Sequence, residues 1–502
     1  MKKLLALSTV AAMAVTGLMA DQAADIEKLQ KDVERLKKSL SEVKAQAGGD
    51  NIKWDVDFRT SVDMLDYKMA SGASYKKDAL FANRLWLGMG YAPTDNMIFK
   101  GQLSFNKAFG AAPANGAFPQ RAFGYDAFDW VLNETLTDDT VKVREAYWLY
   151  KSSSLFGSDV SWTASVGRRP STNGFLANLR EDDKAKSPLG HVINMEFDGA
   201  SFKFGLDKVT GIDGMYWKLC LGKGLTNARA RFNMDGGFAS LGDYTKDNTT
   251  LEDVDLAGFI FVPYDDGQYT VETTFYRGFN VPGFLGMDAM GTAGTGMIDG
   301  STGNTFNPAV TMYNMGDMDG AAVSFMANGI GDGISDFLDD TIVFASLAMS
   351  KTHPDKALTD YAMMALGAAT PAAGMLGSAD SETGTSVWVG AQIPAMFTED
   401  GRIGLEYNHG SKYWRPFTYA EDTMAGSKMA TRGDAYEVYY TQPLLTGFSM
   451  QLRATHMKYD YTGSQSFFGF DGVPLTMLQA QGMGMDPVEE ATDVRLYFRY
   501  RY

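Results

Sequence analysis

The last ten residues constrain the fold of this chain more than any other segment. In Asp493-Val494-Arg495-Leu496-Tyr497-Phe498-Arg499-Tyr500-Arg501-Tyr502, every even position is apolar or aromatic, and every odd position is charged except Tyr497. A strand turns successive side chains to opposite faces, so one face here is greasy and the other carries three arginines. The first strand candidate has the same character. Ile52, Trp54, Val56 and Phe58 alternate with Lys53, Asp55, Asp57 and Arg59. Charges in unbroken succession on the second face predict a wet lumen, with lipid against the first.

The N-terminus predicts export. Lys2 and Lys3 precede an apolar run from Leu4 to Val15, and small residues follow to Ala20, so residues 1–20 read as a signal peptide. That run is too short to cross a bilayer as a helix, and no other segment offers ~18 consecutive uncharged apolar residues. Barrel strands average out in such a scan, so a mean hydropathy of -0.19 is no argument for a soluble protein. Over residues 21–49, Ile26, Leu29, Val33, Leu36, Leu40 and Val43 repeat at spacings of three and four before Gly48-Gly49. This heptad seam predicts a periplasmic coiled coil between protomers, or else one amphipathic helix lying on the barrel mouth.

Residues 50–502 are expected to form an all-β transmembrane antiparallel barrel. Seventeen two-faced segments can be picked out, among them His191–Phe197 and Ala200–Lys208 flanking an Asp198-Gly199 turn. Short connections such as Ala92–Asn96 alternate with long ones such as Asp66–Ala79 and Tyr413–Gly433, the asymmetry of a membrane barrel. If both termini share one side, the strand number is even. Taking Leu225–Phe232 as a missed strand gives 18, with 16 as the alternative.

A pore's chemistry lies in its wall charges. Arg59, Arg84, Arg144, Arg168, Arg169, Arg453, Arg495 and Arg499 are expected to face the lumen, and inward bases outnumber inward acids although the chain carries a formal charge of -16. Such a wall concentrates small anions; the plainer reading is charge pairing without selectivity. Within the third long loop, Phe175–Asp183 suggests a short helix. The single Cys220 excludes a disulfide framework and multi-thiolate metal sites. No cofactor or metal is implied, and the acidic balance argues against nucleic acid. His191, His409 and His456 lack a serine in nucleophile-elbow context, so no enzyme is expected. The methionines around Met287, Met290, Met297, Met312 and Met315 read as loop filler rather than a copper site.

The terminal aromatics Phe498, Tyr500 and Tyr502 resemble the assembly signal that ends bacterial outer-membrane barrels. A leader, a short coil and a barrel are together similar to trimeric porins with periplasmic N-terminal helices. Val166-Gly167-Arg168-Arg169-Pro170, Gly404–Gly410 and Lys458-Tyr459-Asp460-Tyr461 resemble an uncharacterised family of Gram-negative outer-membrane porin-like proteins. The resemblance implies an outer-membrane homo-oligomer, a trimer, in contact with lipid and lipopolysaccharide. The family names no solute; the barrel architecture itself leads to the expectation of passive diffusion of small hydrophilic solutes, or alternatively of a plugged structural or adhesive barrel. By analogy with general porins, the third loop would fold inward and set Glu181, Asp182 and Asp183 against Arg168, Arg169 or Arg144.

Overall fold

The computed structural model describes residues 52–110, 136, 141–228, 252–284, 312–355, 376–418, 423–463 and 473–502. The leader, the heptad seam, Met287, Met290 and Met297 lie outside the described residues. Sixteen strands make the wall. They begin with β1 (Lys53–Met69), β2 (Ser74–Tyr91), β3 (Met97–Ala108), β4 (Lys142–Ser152), β5 (Ser161–Ser171) and β6 (Met195–Gly205). Then come β7 (Tyr216–Leu225), β8 (Val254–Asp265), β9 (Tyr269–Phe284), β10 (Met312–Asn328) and β11 (Ile342–Pro354). The wall ends with β12 (Thr383–Pro394), β13 (Arg402–Gly410), β14 (Gly433–Leu445), β15 (Phe448–Tyr459) and β16 (Val488–Arg501). Each pairs with its neighbours, and β16 closes on β1 in antiparallel register, with Arg501 opposite Asp57 and Tyr497 opposite Ser61. Closure removes every free strand edge, which is what allows a sheet to sit in hydrocarbon.

The alternation seen in the sequence becomes the two faces of this wall. On β16, Asp493, Arg495, Tyr497 and Arg499 are buried inside, while Phe498 and Tyr500 are 42% and 43% exposed outside. Phe81, Val143, Leu221, Leu347, Val387 and Leu452 continue an outward apolar band. Aromatic pairs border it near the short-turn end, among them Phe204–Trp217, Tyr269–Phe325, Phe397–Tyr440 and Phe448–Phe498. Polar groups border it at the other end. Arg277 lies 3.5 Å from Asp317 and Asp319, and Tyr407 donates to Asp434 at 2.7 Å. Water outside would leave this band as a large exposed apolar surface, so the wall is built for lipid.

Connections at the short-turn end span 92–96, 153–160, 206–215, 266–268, 329–341, 395–401 and 446–447. At the far end all but the first are long, and the first corrects an expectation. Residues 66–79 are not a long loop: β1 and β2 run into them, leaving only 70–73 as the turn. The strand number is 16, the alternative above, and not 18. Asp198-Gly199 is not a turn but the middle of β6, where Gly199 faces Gly167 on one side and Gly222 on the other. A Cβ at Gly199 would sit 2.1 Å from the Leu221 carbonyl oxygen. The glycine therefore serves close strand approach, although Asp-Gly is also a favoured hairpin-turn dipeptide. The segment 225–232 adds no strand among its described residues, because β7 ends at Leu225.

Gly199→Val should lower barrel stability by ~1–3 kcal/mol through overpacking. Gly90→Ala, with nothing within 4 Å of the added carbon, should not. Thermal unfolding in detergent, followed by the gel shift between folded and heated barrel, checks both; equal behaviour would contradict the close-approach account.

Candidate functional site

Register places like charges side by side on the inner wall. Glu406 on β13 stands directly opposite Glu437 on β14, Arg453 on β15 opposite Arg495 on β16, and Arg499 on β16 opposite Arg59 on β1. Directly opposed residues have Cβ atoms ~5 Å apart, so each pair repels unless something of opposite sign lies between or beside it. The wall meets part of this need itself, since Asp63 takes Arg495 and Asp57 takes Arg499. The rest comes from two loops that fold into the barrel.

The first loop covers residues 172–194. Two short parallel strands, Gly174–Phe175 and Lys186–Leu189, flank one helical turn, α1 (Ala177–Arg180), and carry its tip across the lumen. Arg180 reaches Glu437 at 3.2 Å. Glu181 accepts from Arg453 at 2.8 Å and lies 3.8 Å from Arg59. Asp183 lies 3.1 Å from Arg499. Main-chain oxygens are held too: Gln451 donates to the Arg180 carbonyl at 2.7 Å and Arg499 to the Glu181 carbonyl at 2.6 Å.

The second loop spans 411–432 and is described over 411–418 and 423–432. Its Lys428 ammonium sits between the opposed glutamates, 2.7 Å from Glu406 and also bonded to Glu437. Lys428 is 2% exposed and Glu437 3%. Glu437 thus receives a cation from each loop, Lys428 on Oε1 and Arg180 nearest Oε2, and Thr455 also donates to Oε2, at 2.7 Å.

Behind the charges, part of the lumen holds an apolar core. Phe175, Leu176, Leu189 and Val192 of the first loop and Trp414, Phe417 and Met429 of the second pack on Tyr276, Met315, Met318, Phe344 and Trp388 of the wall. Met315 and Met318 are therefore core residues. Fully burying one such side chain is worth ~1.5–3 kcal/mol, enough to hold the loops inward. The loops also bond each other. Phe417 N–H donates to the Val192 carbonyl at 2.9 Å, and Asn194 N–H to the Phe417 carbonyl at 2.6 Å.

His191 lies inside this core, edge-on to Trp388 and Trp414 at 5.6 Å from each ring. Its partners fix its tautomer. The Ser386 hydroxyl donates to Asn408, so it accepts from His191 Nε2–H, at 2.9 Å. Nδ1 then accepts from Ser346 at 2.7 Å, and Ser346 accepts from Ser324. Asn408 passes the chain on to the Lys428 carbonyl at 3.0 Å. Both ring nitrogens are taken by hydroxyls, so no acid orients this histidine for nucleophilic chemistry. Burial pushes its imidazole down to about 3.

The structure brings together Arg59, Glu181, Arg453 and Arg499, with Arg495 beside them and Asp183 on Arg499. Asp182 lies outside this cluster, 68% exposed and 3.6 Å from Arg501. The expected opposition of the acidic tip to Arg144, Arg168 or Arg169 is corrected: the tip crosses to the far wall. Arg144 pairs with Glu196 at 3.1 Å and stacks 4.0 Å over Trp86, which Arg84 also covers while pairing with Asp57. Arg168 lies 3.4 Å from Glu196, and Arg169 bonds Ser165 and covers Tyr147. Phe498 and Tyr500 face outward at the barrel seam, where Tyr502 exchanges main-chain hydrogen bonds with Val56. Arg180 and Lys428 were absent from the expected site. Nothing marks them in sequence, because their role depends on the Glu406–Glu437 register.

Lys428→Met should destabilise the barrel by ~3–5 kcal/mol, the cost of leaving buried charge uncompensated. Adding Glu406→Gln should recover much of that in the same thermal assay; no recovery would mean that Lys428 acts by packing alone. The neutral His191 sets a second expectation. Its folded value lies below the ordinary 6.5, so its stabilisation is complete above pH 6.5 and is lost as pH falls toward 3. The total is ~5 kcal/mol from a shift of this size. His191→Gln should flatten this part of the stability–pH curve, and parallel curves for the two proteins would refute it.

Among solved structures, the chain aligns over 90% of its length with 99% of an anion-selective porin from Comamonas acidovorans (10% identity, TM-score 0.46). It covers 92% of itself and 96% of Pseudomonas putida OprB (12% identity, TM-score 0.45). For Salmonella typhi OmpF in complex with daunomycin the figures are 90% and 98%, at 11% identity and a TM-score of 0.43. No curated protein sequence matches. Residues 74–502 match the family described as "Protein of unknown function (DUF3373)", and the chain belongs to that family.

Proposed function

We propose that the protein is an outer-membrane, porin-like channel that passes small hydrophilic solutes through a lumen narrowed by its own loops. The observation that carries this reading is the segregation of charge on the inner wall. The opposed Glu406 and Glu437 stand on β13 and β14 and the opposed arginines on β15, β16 and β1, where Asp57, Asp63 and Asp493 offset part of the base, and the loop tip lies between the two sides. A barrel that only anchored the envelope has no need of such a wall, whereas a transverse field orients dipolar solutes in transit. Glu181 and Asp183 offset the arginines of the far wall, so any anion preference is modest. The outward apolar band supports a membrane location, with the short turns toward the periplasm and the long loops outside. Export by the leader, a periplasmic coil, a homotrimer, contact with lipopolysaccharide and an assembly role for Phe498, Tyr500 and Tyr502 belong to the same proposal.

One observation favours the second reading, a plugged structural barrel. Arg453, Arg495, Glu181 and Glu437 in the middle of the lumen are at most 3% exposed, so the path is tight at that level. Planar bilayers separate the two. The channel reading expects steady single-channel currents from the purified full-length protein. Glu181→Gln, which removes an acid beside Arg59 and Arg453, should shift the reversal potential in a salt gradient toward anions. A protein silent at all voltages, both as wild type and as Glu181→Gln, would leave the plugged barrel.

A further inference from the structure

We propose that loop 172–194 and the stretches 411–418 and 423–432 of the second loop are a single gate, latched at Glu437, that leaves the lumen as one body. This rests on the channel reading. It goes further, because either loop could have narrowed a pore alone.

Three junctions join the loops, and each is chemically distinct. The first is electrostatic: Arg180 of one loop and Lys428 of the other share the Glu437 carboxylate. Removing either cation leaves buried negative charge on the wall that the other cannot balance, since Glu406 also depends on Lys428. The second is main-chain pairing, in which Ile193 bridges Phe417 in parallel. Withdrawing one loop would leave buried backbone groups of the other unpaired, at a cost of ~1–3 kcal/mol for each. The third is the hydroxyl chain, which runs from Ser346 through His191 to Asn408 and ends on the carbonyl of Lys428 itself. The shared apolar core lies between them, so neither loop can retract without exposing side chains of the other to water. Elements coupled by packing, charge and main-chain bonds tend to switch between two arrangements rather than yield by degrees.

The test reads one loop while loosening the other. In a Cys220→Ser background, Leu176→Cys reports on the first loop and Met429→Cys on the second; both native side chains are almost fully buried. The full-length protein in detergent is treated with a membrane-impermeant maleimide. Lys428→Met should speed labelling at position 176 roughly tenfold or more, equivalent to ~1.4 kcal/mol of closure. Arg180→Met should do the same at position 429. Acceleration confined to the loop that carries the substitution would overturn the proposal. The gel shift of the folded barrel is scored in the same samples, and Glu437→Gln serves if a cation variant fails to fold. Glu437→Gln should speed labelling at both positions, and an effect at one alone would equally overturn it. Because labelling needs no current, a coupled pair of loops in an electrically silent barrel would sink the channel reading and leave the coupling of the loops standing without a pore to gate. Steady current with uncoupled loops would do the reverse.

Discussion

The opposed carboxylates of Glu406 and Glu437 are the constraint on which the lumen depends. Strand register sets them face to face on adjacent strands inside a closed wall, where neither can turn to bulk water. Two like charges in that position are unfavourable until cations arrive, and burial makes the debt larger than it would be on a surface. Lys428 and Arg180 arrive from outside the sheet. The barrel wall by itself is therefore incomplete, and the inward position of both loops follows from its charge pattern. The basic side obeys the same logic with the sign reversed. Arg453 faces Arg495 and Arg499 faces Arg59, and Glu181 with Asp183 supplies part of the missing charge.

Charge alone would not hold the loops, because their main chains also have to be satisfied inside the barrel. That task falls to side chains of the wall. Gln451 and Arg499 bond tip carbonyls, and the serines and Asn408 satisfy His191 and Lys428. The apolar core then contributes the non-directional part. Tyr276 lies over Gly320, Phe344 over Gly390 and Tyr439 over Gly404, so aromatic rings fill the lumen where glycines leave the wall bare. Those glycines are uses of missing volume rather than of backbone freedom, since none of the three has a positive φ.

What could be seen in the sequence divides along physical lines. Side-chain parity depends only on neighbours in the chain, so the inward run Asp493, Arg495, Tyr497 and Arg499 and the outward Phe498 and Tyr500 were legible residue by residue. Strand ends were less so, because Asp198-Gly199 has the composition of a turn and only its neighbours, Gly167 and Gly222, show that it is a crossing point. That one dipeptide, with 225–232, accounts for the difference between 18 and 16. His191 reads in the sequence as a strand start, although it belongs to a loop buried in the lumen. Register was not legible at all. Glu406 and Glu437 could be assigned to the inner face, but not set opposite each other, and without that pairing Lys428 is one more lysine in a long loop.

A wall that opposes like charges is less stable than one in which opposite charges face each other. The arrangement nonetheless gives the loops something to bind, and it binds them with contacts that water and ions can replace. A plug held only by apolar packing would have nothing to exchange on leaving. A plug held by ion pairs opens onto groups that solvent, salt or a charged solute can satisfy in its stead, so its closed and open states differ less in free energy than the number of contacts suggests. The apolar core acts in the other direction and favours closure. The balance between the two is set by a small number of side chains, with Glu437 at their meeting point, and this is the physical form of the proposed gate.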